Sequence, residues 1–185
     1  MLLLFHDVTS KFFGTSGSDG KREKKKKNCF YAHTYGAAGP VVLTKDGQIQ
    51  GITLDKAHVF YGIPYADPPV GAYRWKPPRP VSPWQGVYDA SFPRAACMQF
   101  CSRVSEDCLY LNIFIPLDVD FSSPLRSHLP VMVWIHGGDF IAGSASKPLY
   151  DGRFISNFTH TVVVNLEYRL VLCHGHTLLS SGNKH

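Results

Sequence analysis

The residues best suited to chemistry lie in Val131 to Gly143, VMVWIHGGDFIAG. An apolar run reaches His136 and breaks into Gly137-Gly138, the pattern of a strand buried on both faces that feeds a tight turn. Two adjacent glycines let backbone N–H groups converge on one point with no Cβ in the way, so an anion or a developing oxyanion could sit there. An ordinary strand-to-helix turn, with glycine present for sterics alone, has the same pattern, and these residues leave both readings open. Two further groups invite a chemical reading. Cys173-His174 and His176 resemble metal ligands but lack a fourth partner, so no metal or other cofactor is expected. Five cysteines, Cys29, Cys97, Cys101, Cys108 and Cys173, form no CxxC pair, and the odd number leaves at least one free or bonded outside the chain.

The elements that must position the turn belong to one globular unit. The chain has 185 residues, 44% hydrophobic and 13% aromatic, enough for one domain with a sizeable core. Its formal charge of +5 is uneven: residues 1–35 hold seven of the 19 Lys and Arg and three of the 14 Asp and Glu. The remainder has 12 basic against 11 acidic residues, which removes the case for a nucleic-acid-binding face on the body. Residues 1–39, with the run Lys21-Arg22-Glu23-Lys24-Lys25-Lys26-Lys27, read as a disordered basic leader without an assigned role. Met1 to Phe5 is too short for an export signal, and no run approaches the ~18 apolar residues of a membrane span.

From Pro40 the texture becomes that of strands. Three runs rich in β-branched and aromatic residues, separated by Lys45-Asp46-Gly47 and Asp55-Lys56, predict an antiparallel meander over 40–62. Prolines from Pro64 to Pro83 predict an ordered irregular segment, pinned by Tyr65, Tyr73, Trp75 and Trp84. Leu109 to Pro116 reads as a strand. Residues 149–160 read as a short helix with Phe154, Ile155 and Phe158 on one side. Thr161 to Leu166 reads as a parallel neighbour of 131–136, reached by a right-handed crossover. Strand, glycine turn, helix and strand make the start of an α/β sheet.

The segment Glu106-Asp107-Cys108-Leu109-Tyr110-Leu111-Asn112, followed by VMVWIHGG, resembles the type-B carboxylesterase/lipase family of α/β-hydrolases. KDGQIQG, FYGIPYADPPVGAYRWKPP, Trp84 in PWQGVYDA, Cys97-Met98-Gln99, the YDG of 150–152 and Tyr168-Arg169-Leu170 match in the family's order, over about residues 40–170. The resemblance implies an incomplete α/β-hydrolase fold: the antiparallel meander and the first strands of the central sheet. It implies a serine ester hydrolase acting on a small-molecule carboxylic ester, without cofactor. It makes the turn at His136 and Gly137 an oxyanion hole whose donors are the backbone N–H groups of Gly138 and Asp139. Each such donor contributes roughly 3 to 4 kcal/mol to the transition state. Family members carry a small residue where Asp139 stands, and a carboxylate beside a developing negative charge is unfavourable unless it turns toward solvent. The resemblance also implies a Cys97–Cys108 disulfide, with the partner of Cys101 open, and a secreted or endoplasmic-reticulum location, for which the glycosylation sequon Asn157-Phe158-Thr159 is suited.

The family's nucleophile sits on a G-x-S-x-G elbow downstream of the glycine turn. No serine here has glycine two residues before and two after; Ser16 comes closest, between Gly14 and Ser18. The acid and base come later still in family order, so the nucleophile, acid and histidine of the triad are absent, and His136 is structural. Beyond Leu170 the tail of residues 171–185, VLCHGHTLLSSGNKH, departs from the family pattern, and a truncated product is expected. Three functional readings follow: a fragment of a serine carboxylesterase, inactive alone; a noncatalytic cholinesterase-like adhesion or binding protein; and an interaction protein acting through the basic run. Truncation is expected to expose apolar surface on 131–136 and 161–166 and to lower solubility.

Overall fold

The structure, a computed structural model, describes residues 36–100, 103–122 and 128–170. Residues 1–35 of the basic leader, Cys29, Cys101 and the tail with Cys173, His174 and His176 lie outside the described residues, whereas Ala37 to Gly39, expected in the leader, open the first strand. Strands β1 (Ala37–Thr44), β2 (Gly47–Thr53) and β3 (Ala57–Pro64) form the expected antiparallel meander. Thr44 pairs with Gly47, so Lys45-Asp46 is a two-residue hairpin loop, tied by Thr44 Oγ1 donating to the Gly47 carbonyl at 2.7 Å. Gly47 has a second reason to be glycine: a Cβ there would stand 2.5 Å from the Trp84 indole nitrogen.

Two short pairs follow in sequence. β4 (Val87–Asp89) pairs in parallel with β2, and β5 (Ala96–Cys97) with β6 (Val104–Ser105). β7 (Tyr110–Pro116) then enters beside β3, antiparallel, and is buried along nearly its whole length. Leu111, Ile113 and Ile115 face a core with Val42, Ile49, Phe60 and Val164, while Phe114 faces a second layer with Val59 and Val163. Burial on both faces is why LYLNIFIP shows no clean alternation.

β8 (Val131–Ile135) and β9 (Val162–Leu166) are parallel, with Ile135 opposite Leu166. The path across the sheet is β1-β2-β3-β7-β9-β8, so among the described residues the last strand in sequence lies inside and β8 forms the rim. One expectation is corrected here. Apolar surface is exposed on β8, at Met132, Trp134 and Ile135, but β9 is covered by β7 on one side and β8 on the other, with Val163 and Val164 buried. Helix α1 (Arg153–Thr159) exists, but Phe154, Ile155 and Phe158 point outward; Phe158 is 90% exposed. The helix meets the sheet through small residues instead. Gly152 comes so close to Phe114 that a Cβ would lie 2.6 Å from its ring, and the Ser156 hydroxyl donates to the carbonyls of Phe114 and Thr161.

The proline-rich segment is ordered, as its aromatic content predicts, though not by all four anchors. Tyr65 donates to the Glu167 carbonyl at 2.7 Å and Trp84 Nε1 to the Gln48 carbonyl at 2.9 Å. Tyr73 and Trp75 are exposed and carry the guanidinium groups of Arg79 and Arg74 over their rings. Asp67 completes the anchorage, accepting from the Ser82 amide and from Arg79.

Candidate functional site

The glycine turn leaves β8 at the rim. Gly138 has φ +131°, followed by Asp139 at +52° and Phe140 at +61°. The Gly138 carbonyl accepts from the amides of Ile141 at 3.0 Å and Ala142 at 3.1 Å. Two successive positive φ values closed by such a bond are the signature of a type I′ turn, whose first central position favours Asn, Asp or Gly. Asp139 therefore has a conformational reason to be aspartate. Phe140 has none, and a bulky residue in this region stores about 1–3 kcal/mol of strain. Gly138 is obligatory, because a Cβ there would stand 1.8 Å from the Ala142 carbonyl oxygen. Residues 137–140 are exposed, and among the described residues no acceptor meets the N–H groups of Gly138 and Asp139.

Beneath this exposed turn is a buried polar layer. His136 is 2% exposed; its Nδ1 lies 3.2 Å from the Gly137 carbonyl, and its ring stacks on Tyr168 at 4.3 Å between centroids. The Tyr168 hydroxyl donates to the His136 carbonyl. Glu167, also 2% exposed, directly follows β9, and the parallel register sets it beside His136. One carboxylate oxygen, Oε1, accepts from the Ser144 hydroxyl at 2.6 Å and the Ala145 amide at 2.9 Å. The other, Oε2, lies 3.7 Å from His136 Nε2, and neither of these two atoms has a hydrogen-bond partner. Burial first, and then the Glu167 charge, push the Tyr65 and Tyr168 phenols above their ordinary range, which keeps both as neutral donors.

The far end of the loop is held by Gln99. Its amide donates to the Gly143 carbonyl at 2.6 Å and its carbonyl accepts the Gly143 N–H at 2.9 Å, a two-bond clamp on one residue. Gly143 has φ +136°, and a Cβ would meet His136 Nδ1 at 2.3 Å. Gln99 is placed by the disulfide two residues earlier, which joins Cys97 to Cys108 with Cα atoms 5.0 Å apart, both cysteines fully buried beside Leu170. Sequence reading brought together His136, Gly137, Gly138 and Asp139, but assigned no task to Glu167 or Gln99. A signal existed for Glu167: it is a charge closing the apolar run TVVVNL, where an ionised side chain is costly unless it is partnered.

Asn157 stands apart from the turn. It is exposed on α1, and its sequon partner Thr159 donates to the Ile155 carbonyl at 2.7 Å. Among the described residues no three His, Cys, Asp or Glu side chains gather as a metal site requires, and no helix is long and apolar enough to cross a membrane.

Residues 38–177 match the family model of the carboxylesterase family. The chain belongs to the carboxylesterase family. Acetylcholinesterase of Electrophorus electricus is 41% identical in an alignment of 150 residues that covers 70% of this chain and 23% of that protein. Para-nitrobenzyl esterase of Bacillus subtilis (strain 168) is 43% identical in an alignment of 140 residues that covers 70% of this chain and 27% of that protein. Among solved structures, a PNB esterase superposes with a TM-score of 0.64 at 46% identity, over 70% of this chain and 27% of its own. The Geobacillus stearothermophilus carboxylesterase EST55 gives 0.64 at 40% identity, over 70% and 26%. The carboxylesterase-family chain thus spans about a quarter of the length of the relatives it matches, and its sheet is part of their α/β-hydrolase fold.

Proposed function

We propose that residues 40–170 supply the oxyanion-stabilising turn of a serine carboxylic-ester hydrolase. The observation that carries this reading is the exposed turn at Gly138 and Asp139, whose N–H groups have no acceptor among the described residues while the loop around them is fixed from both ends. Such preorganised donors stabilise the oxygen of a tetrahedral intermediate, because their dipoles need not reorient as charge develops. The Asp139 side chain is on the exposed side of the turn, where solvent screens it. The 185 residues contain no G-x-S-x-G elbow, so the reading assigns them the oxyanion turn and not the nucleophile. The buried disulfide and the exposed sequon at Asn157 suit an oxidising, secretory compartment with a glycan on α1.

The test has two arms. The chain alone, given a chromogenic short-chain ester and a fluorophosphonate, is expected to show neither turnover nor labelling. Grafting residues 40–170 onto the remainder of the Bacillus subtilis para-nitrobenzyl esterase is expected to give an enzyme that hydrolyses the ester and takes the label. A graft that melts cooperatively yet does neither would overturn the reading.

A further inference from the structure

We propose that Glu167 is the positioning residue of the oxyanion turn, and that it acts by holding a proton on Nε2 of His136. This rests on the reading of the turn given above. The loop of residues 136–145 begins and ends on one carboxylate: His136 faces Oε2, and Ser144 and Ala145 donate to Oε1. Both the imidazole and the carboxylate are nearly sealed from solvent, with side-chain exposures of 0% and 3%. A buried carboxylate oxygen without a donor is costly, and so is a buried ring nitrogen without a partner. The two lie 3.7 Å apart and have no other partner, so the arrangement that satisfies both has the ring N–H pointing at Oε2. Stacking on Tyr168, whose hydroxyl fixes the His136 carbonyl, holds the ring in that plane. Glu167 itself is set by its amide, which donates to the Tyr110 carbonyl at 2.9 Å, and by Tyr65, which donates to its carbonyl at 2.7 Å. The donors at Gly138 and Asp139 are thus carried on a loop clamped from below by one side chain.

Glu167→Gln separates this from a purely packing role. The Ala145 N–H and the Ser144 hydroxyl require an acceptor, so the glutamine oxygen must take the Oε1 position and its NH2 group must face His136. A donor in that place demands a lone pair on Nε2, which leaves the ring proton on Nδ1 alone, where the Gly137 carbonyl accepts it. Nitrogen-15 spectra of the labelled full chain read the protonation of each ring nitrogen directly. The expected result is a protonated His136 Nε2 in the unmodified chain and an unprotonated one in Glu167→Gln. A bare Nε2 in the unmodified chain overturns the proposal, whether or not the variant folds, and so does an unchanged tautomer in the variant. In Ser144→Ala, which keeps the carboxylate, Nε2 is expected to stay protonated while the bonded amides of Ile141, Ala142 and Gly143 exchange about tenfold faster; unchanged exchange counts against the clamp. None of these readouts needs turnover. Failure of the ester-hydrolase graft with a protonated Nε2 therefore refutes the reading of the turn and leaves the clamp standing.

Discussion

Gly137 and Gly138 are neighbours in sequence, yet the structure assigns them opposite tolerances. At Gly138 an added Cβ would lie 1.8 Å from the Ala142 carbonyl oxygen and 2.7 Å from its carbon, backbone atoms that cannot swing aside, at φ +131°. At Gly137 the same Cβ meets nothing within 4 Å. Gly138→Ala must therefore open the turn. It forfeits the two bonds to the Gly138 carbonyl, about 1 kcal/mol each, or else keeps them under about 1–3 kcal/mol of backbone strain plus the steric overlap. A local cost of about 3 kcal/mol corresponds to roughly a hundredfold in the opening equilibrium. The turn is at the rim, so the loss should stay there. Hydrogen exchange followed by mass spectrometry on dilute protein is expected to show the Ile141 and Ala142 amides exchanging about a hundredfold faster in Gly138→Ala, with β7 unchanged. Gly137→Ala is expected to leave both within about 0.5 kcal/mol of the parent. Equal effects at the two positions would refute the reasoning.

Reducing the disulfide, or Cys97→Ser with Cys108→Ser, should cost about 3 kcal/mol in urea unfolding by the chain-entropy rule for a loop with a sequence separation of 11. Phe114→Ala, at a ring 2% exposed between Tyr61 and Gly152, should cost about 3–5 kcal/mol by the same measurement. Burial, reinforced by the Asp151 charge, raises the Tyr61 phenol to about 12, so its contribution is whole below the unfolded value of 10.0 and is lost as pH rises toward 12. That shift amounts to at most about 3 kcal/mol; alkaline unfolding monitored by tyrosinate absorbance should be delayed in Tyr61→Phe. The Asp67 carboxyl is held below its ordinary value by the Ser82 amide and hydroxyl and by Arg79, so the tie between 67 and 79–82 is present at neutral pH and is lost on acidification. Limited proteolysis of the 64–83 segment should speed up as pH falls and should be fast at neutral pH in Asp67→Asn. The exposed rim residues Met132, Trp134 and Ile135 predict self-association at micromolar concentration; a monomeric cooperative melt by light scattering and calorimetry would contradict that.

Much of the fold was legible because its signals are local. Lys45-Asp46-Gly47 marks a hairpin by turn chemistry alone, and the β-branched runs of β8 and β9 show strands long enough to pair in parallel. Periodicity could group Phe154, Ile155 and Phe158 on one side of α1 but not say which way that side points. The direction was decided by Gly152 and Ser156, four residues apart, which alone are small enough for the approach to Phe114. In the site, the glycines revealed the turn. What holds it could not be read in the same way, because Gln99 and Glu167 reach it from 44 and 22 or 23 residues away. No sequence spacing encodes such a meeting.

The short strand β4 has an effect out of proportion to its three residues. β2 is forked: Gln48 to Gln50 pair with Val87 to Asp89, while Ile52 and Thr53 pair with Val59 and His58. Ala90 bridges the crotch, its amide donating to Gln50 and its carbonyl accepting from Tyr61, and Trp84 and Tyr88 fill the space behind it. Without that wedge nothing would stop the two halves of the hairpin from zipping closed along their full length. β3 shifts its register between Phe60 and Ile63 beside that wedge, where the Tyr61 amide donates to Ala90 and Gly62 leaves room for the Arg94 side chain. Three residues far from the turn thus decide where β2 and β3 part company.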